Sequence, residues 1–181
     1  MIVVKAFENG LRCRGYQYQV GLNTCEDANC ARNGFHAAED PLDCLSYYSS
    51  FAGSEFWVCD AGGDVDEDGH DSRISCTELT IIKRLSLLEY VYTCLKYLAD
   101  HPQRKRNPRV MSGKGTAQAN RFVIVEGDSR TTKLMAKGGR IGDLLGFHDT
   151  ATGQITVLEV DGTCIRTGVY YGPDLKEAET C

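Results

Sequence analysis

The chain has 181 residues, of which 42% are hydrophobic, 25% charged and 9% aromatic, and it carries a net charge of −5. This composition belongs to a folded chain and excludes a disordered tail or a collagen-like fibre. No apolar run approaches the ~20 residues that a membrane-spanning helix needs, and MIVVKAFENG has neither the basic nor the apolar stretch of a secretory signal, so a cytoplasmic location with no membrane partner is expected.

Residues 2–7, IVVKAF, predict a strand, and 11–20 a second strand or hairpin arm. Residues 21–33 read as loop, and GFHAA (34–38) as a short strand. Asp40 can cap a helix that starts at Pro41 and places Leu42, Leu45 and Tyr48 on one face. EFWVCD (55–60) reads as a strand, AGGDVDEDGHDS as an acidic loop, and RISCTELTII (73–82) as another strand. Ser86 with Glu89 three residues on forms a capping box for a helix that reaches about Ala99 and stops at His101-Pro102. Beyond a small-residue, basic stretch come short apolar runs at near-regular spacing: RFVIVEG, TKLMAKG, IGDLLGF, QITVLEVDG and TCIRTGVYYG. They predict a meander or a partly solenoidal stack, with a tight turn at VDG (160–162). The expected fold is α+β: a mixed domain at 1–100 with a mainly antiparallel sheet and two helices, a basic linker at 101–120, and a small all-β module at 121–181.

Charge is segregated along the chain. Residues 1–100 hold 8 Lys and Arg against 16 Asp and Glu, whereas 101–140 hold 10 against 2. The ten cations are Arg104, Lys105, Arg106, Arg109, Lys114, Arg121, Arg130, Lys133, Lys137 and Arg140. Gathered on one face they would attract phosphates and release counterions; the alternatives are internal pairing with the acidic front half, or a solvated linker. SGKG at 112–115 is not a P-loop, since Gly115 stands where Ser or Thr is needed and no helix pattern follows.

Nine cysteines make a complete intrachain disulfide set impossible. Cys25 and Cys30, joined in space by Cys13 and His36, form a candidate zinc set, while Cys44, Cys59, Cys76 and Cys94 sit in apolar patterns as small core residues. Asp64, Asp66 and Asp68, with a glycine turn at Gly69, have the alternating carboxylates of half a calcium loop, which makes Ca2+ or Mg2+ the alternative to a plain acidic turn. Tyr16, Tyr18, Phe35, Tyr47, Tyr48 and Trp57 are expected in the core, with a base-stacking platform as the other reading.

CRGYQY (13–18) followed by VG, GFHA (34–37), PLD (41–43), YY (47–48), DSRIS and the C-terminal VDGTCIRTGVYY (160–171) resemble an uncharacterised family of bacteriophage and prophage proteins from Gram-positive gut bacteria. The order strand, loop, GFHA strand, helix, EFWVCD strand is also similar in layout to small ADP-ribosyltransferases. That similarity implies NAD as the cofactor, His36 near the second motif position, and Asp68, Asp71 or Glu78 as the carboxylate that stabilises an oxocarbenium-like transition state. The first-strand position holds Lys5-Ala6-Phe7 instead of the His or Arg that such enzymes use. For His36 the plainer reading is a hydrogen-bonded, partly buried histidine.

The leading expectation is a phage accessory protein that binds rather than catalyses and needs no cofactor. Its partner would be a host protein or ribonucleoprotein complex, or DNA or RNA, met through the basic centre. An inhibitor of a host defence nuclease such as a CRISPR effector fits by analogy. An NAD-dependent transferase and a virion-associated structural protein are the alternatives.

Overall fold

The computed structural model describes residues 1–67, 69 and 71–178. The chain is mostly β, with 43% strand and 11% helix, and it divides into two units, Met1–Tyr90 and Val91–Cys181.

In the first unit β1 (Ile2–Glu8) leads into a small hairpin, β2 (Arg12–Cys13) and β3 (Tyr16–Gln17), and then β4 (Gly21–Thr24). After a loop come β5 (Phe35–Ala38), a 3-10 helix (Pro41–Ser46), and the long hairpin of β6 (Ser54–Glu67) and β7 (Arg73–Arg84). All pairings are antiparallel. β1 pairs with β6 and β5, and β7 pairs with the same two strands, so the four close into a barrel. β4 adds to β7 outside that circuit. Val3 and Phe7 alternate inward from β1 and meet Tyr18, Phe35, Cys59, Ile74, Cys76, Leu79 and Ile81 in the core.

The expectation of an α+β domain with two helices is corrected here. The segment 41–46 forms only a 3-10 helix: Asp40 caps it by accepting from Leu42 N at 3.0 Å. Burial of Pro41, Leu42, Cys44 and Leu45 against the sheet replaces a long amphipathic stripe. The acidic stretch is likewise not a loop through 67. β6 continues through it with register shifts at Val58/Cys59 and Gly62/Val65, because the long partner β7 pairs with it along its length.

The helix α1 (Leu87–Asp100) starts where the capping box predicts, with Ser86 N donating to Glu89 and Glu89 N donating to Ser86 Oγ. Tyr90 Oη donates to the carbonyl of Pro41 at 2.6 Å, and its ring lies 4.8 Å from that of Phe56. The division between the units falls within this helix.

In the second unit β8 (Val110–Ser112), β10 (Phe122–Gly127) and β12 (Leu144–Asp149) are parallel neighbours, as are β9 (Lys114–Thr116) and β11 (Met135–Lys137). Successive strands thus alternate between two ladders, as in a short coil. β13 (Gln154–Glu159) folds back antiparallel on β12. The 101–120 segment, read as a linker, therefore holds β8 and β9, with Asn107 and Val110 buried. TCIRTGVYYG forms no ladder strand; Tyr171 makes isolated bridges to Ala136 and Glu177 and is buried. Val123, Val125, Leu145, Phe147 and Leu158 form this unit's core. Among the described residues no helix is long and apolar enough to cross a membrane.

Candidate functional site

The first unit carries a cleft of about 720 Å³, bounded by β1, the β2–β3 hairpin, the 25–34 loop, β5 and the end of the 3-10 helix. Its floor is Lys5. This lysine stands between Val3 and Phe7 on the inward face of β1 and is 3% exposed. Its Nζ donates to the carbonyl of His36 at 2.6 Å, lies 3.9 Å from Cys13 Sγ, and sits 5.2 and 5.1 Å from the ring centres of Phe7 and Tyr18. Burial pulls its pKa below the ordinary 10.5, because the charged form loses water without gaining an anion.

The lip is the β2–β3 hairpin. Cys13 pairs with Tyr16, so Arg14 and Gly15 are the two turn residues, with φ of 50° and 81°. Two positive φ angles are the requirement of a type I′ turn, where Asn-Gly is the usual pair. An arginine in this position is strained, and it projects from the cleft edge. Tyr16 beside it is 46% exposed and packs edge-on against Tyr18 with ring centres 4.6 Å apart.

The opposite wall is built from Gly34, Phe35 and His36. Gly34 has φ +85°, and a Cβ there would lie 2.2 Å from Ser75 Oγ and 2.9 Å from the Ala28 backbone, so only glycine lets the loop close onto β7. His36 Nε2 lies 3.0 Å from the carbonyl of Cys30. A carbonyl only accepts, so Nε2 carries the proton and Nδ1 keeps its lone pair. Burial lowers the pKa of His36, which keeps the ring neutral at pH 7. Arg73 lies over the ring of Tyr47 at 5.3 Å, and Tyr47 Oη donates to Asp71 at 3.0 Å.

The cleft has a sign. Residues 1–90 hold seven Lys and Arg, and four of them (Lys5, Arg14, Arg32 and Arg73) line it. Among the described residues of the same span, Glu8 is the only Asp or Glu that does. An acidic unit thus presents a cationic hollow with tyrosines at its edge.

The residues proposed from sequence are distributed unevenly. His36 lines the cleft; Asp71 reaches its border through Tyr47; Glu78 pairs opposite Thr24 on the far part of β7 and is not part of it. Asp68 lies outside the described residues. Asp64 and Asp66 are on strand β6, and Asp66 accepts from Cys30 N at 2.8 Å. Cys13, Cys25, Cys30 and His36 do share the cleft, yet among the described residues no group of three or more His, Cys, Asp or Glu has the spacing to hold a metal ion. Tyr16 and Tyr47, expected in the core, are about half exposed at 46% and 50% and face the cleft instead.

The ten central cations all lie in the second unit. Lys114 and Lys137 converge on the ring of Tyr170, at 4.5 and 4.8 Å. Arg121 pairs with Asp143 and Arg130 with Asp128, acids of the same unit. Arg104, Lys105, Arg106 and Arg109 are exposed in the irregular segment before β8, and Lys133 and Arg140 are exposed elsewhere. Sequence reasoning missed Lys5, Arg14, Arg32 and Arg73 as site residues. The available signal was a lysine inside the apolar run IVVKAF and an Arg-Gly pair at a hairpin tip.

No curated protein and no solved structure matches this chain. A family model described as a domain of unknown function, DUF7666, matches residues 1–93, the span that contains the barrel and the whole cleft. On that match the chain belongs to the DUF7666 family.

Proposed function

We propose that the first unit binds an anionic small molecule with a planar ring, of the nucleotide class, in the cleft floored by Lys5. The observation that carries this reading is the charge pattern: among the described residues, four of seven Lys and Arg and a single acid, Glu8, line one hollow in a unit that is otherwise acidic. A cleft lined by one sign of charge focuses the field on a ligand of the opposite sign. The fixed charges of Arg14, Arg32 and Arg73 suit phosphate oxygens, and the exposed ring of Tyr16 suits a base. NAD belongs to this ligand class, and His36 with its bare Nδ1 stands in the same cleft. Thermal unfolding with ADP, NAD and adenosine at millimolar concentration tests the reading. ADP and NAD should raise the melting temperature, adenosine should do so far less, and R14A with R32A should weaken the effect. No shift with either phosphate-bearing ligand overturns it.

A second reading concerns the other unit. Lys114 and Lys137 flanking Tyr170 favour contact with a phosphate backbone, as a phage accessory protein aimed at a host nuclease–guide complex would need. Binding to a nucleic acid or ribonucleoprotein that weakens steeply with salt, and falls further in K114A/K137A, supports it. Binding indifferent to both counts against it.

A further inference from the structure

Lys5 differs from the other lysines of the chain in its surroundings. Four thiols from four elements face it, Cys13 from β2, Cys44 from the 3-10 helix, Cys59 from β6 and Cys76 from β7, together with His36 from β5 and the ring of Tyr18. Burial pushes Cys44 and Cys59 up to about 12 and Cys76 up to about 11, so these three stay protonated and offer no negative charge. Among the described residues Glu8 is the only carboxylate on the cleft, and Lys5 forms no ion pair. One N–H of the amine is committed to the carbonyl of His36, and the rings of Phe7 and Tyr18 flank it. A desolvated amine, oriented by one hydrogen bond and open to a ligand cleft, is the arrangement that makes a lysine a nucleophile.

We propose that Lys5 condenses reversibly with an aldehyde or ketone group of an anionic molecule held in the cleft. This rests on the anion-binding reading for the ligand's charge, but the amine's reactivity stands on its own surroundings. The Nζ lone pair attacks the carbonyl carbon, and a proton passes from nitrogen to the carbonyl oxygen to give a carbinolamine. Loss of the hydroxyl with the second nitrogen-bound proton, as one water, leaves the imine. No oxidant or reductant is needed. The guanidinium groups of Arg14, Arg32 and Arg73 hold the anionic part, and burial, which lowers the amine's basicity, raises the fraction of Lys5 that carries the lone pair.

The test is imine trapping on the full chain at pH 7.5. The protein is incubated with pyridoxal 5′-phosphate, a planar phosphate-bearing aldehyde, reduced with borohydride, digested and mapped by mass spectrometry. Lys5 should carry at least tenfold more label than the exposed Lys105, Lys133 or Lys176. K5M should lose that label and leave the surface lysines unchanged, and a thermal unfolding curve of K5M that matches the parent's controls for folding. Label spread over the surface lysines without enrichment at Lys5 overturns the proposal. Two further arms separate it from the anion reading. If pyridoxal, which lacks the phosphate, labels Lys5 equally well and ADP gives no protection, the nucleophile stands and the anion site falls. If ADP stabilises the protein but Lys5 stays unlabelled by either aldehyde, the anion site stands and the nucleophile falls.

Discussion

Asp143 holds Arg121 from inside the second unit. Its side chain is 3% exposed and accepts from Arg121 Nε and from the backbone N–H groups of Gly139 and Arg140, each N–H at 2.9 Å. The cation is half outside at 37% while its partner is buried, so the carboxylate is the organising member. D143A would orphan two backbone donors and leave the Arg121 guanidinium with the carbonyl of Ile141 but no carboxylate, at a cost of roughly 2–4 kcal/mol. Amide exchange should show protection at Gly139 and Arg140 falling more than tenfold, with the loop 138–143 loosened before the β10–β12 ladder.

The box at the start of α1 was legible in sequence, and it sets a pH dependence. Hydrogen bonds from Lys83 and then Ser86 hold the Glu89 carboxyl down to about 2, below its usual 4.5. A depressed carboxylate contributes its stability above the unfolded value and loses it as pH falls through the folded one. The N-terminal turn of α1 should therefore loosen between pH 4.5 and about 2, seen as coincident titration of Glu89 and the Ser86 amide by NMR. S86A should cost about 1 kcal/mol at neutral pH.

Local signals in this chain were readable where one short segment decided the structure. Strand β1, the GFHAA strand, the Asp40 cap and the Ser86–Glu89 box all depend on residues within a few positions of each other. Two features were not readable because a distant strand decides them. The acidic run after Asp60 looks like loop on composition alone, yet the long partner β7 draws it into a hairpin through Glu67. Ser112 to Gly115 looks like linker, yet β8 and β9 become strands by pairing with β10 and β11. The cleft was half legible: its motifs stood out, but Lys5 and Arg14 gain their meaning only from which side of the barrel they line.

Gly34 is the position where the cleft wall and the barrel depend on the same atom count. G34A would force a left-handed φ on a residue with a Cβ and drive that Cβ into Ser75 Oγ and the Ala28 backbone. The combined strain and overlap should cost roughly 2–4 kcal/mol. Ser75 Oγ also donates to the carbonyl of Asn33 at 2.6 Å, so the 25–34 loop should lift off β7. Faster amide exchange at Asn33 and a lower melting temperature, with no change at the β10–β12 ladder, is the expected pattern. S75A in the G34A background should restore part of the loss by removing the oxygen in the way.

Arg14 separates function from stability by sign. At a type I′ turn position Asn is tolerated better than Arg, so R14N should raise the unfolding free energy by roughly 0.5–1 kcal/mol. The same change removes a guanidinium from the cleft lip and should weaken binding of ADP severalfold or more. A structural role for the arginine predicts the reverse on the first measurement. Urea unfolding and a titration with ADP, done on one preparation, read both quantities. A variant that is more stable and binds less well is what a strained residue kept for its ligand should give. A variant that loses stability, or binds ADP as the parent does, would remove Arg14 from the site.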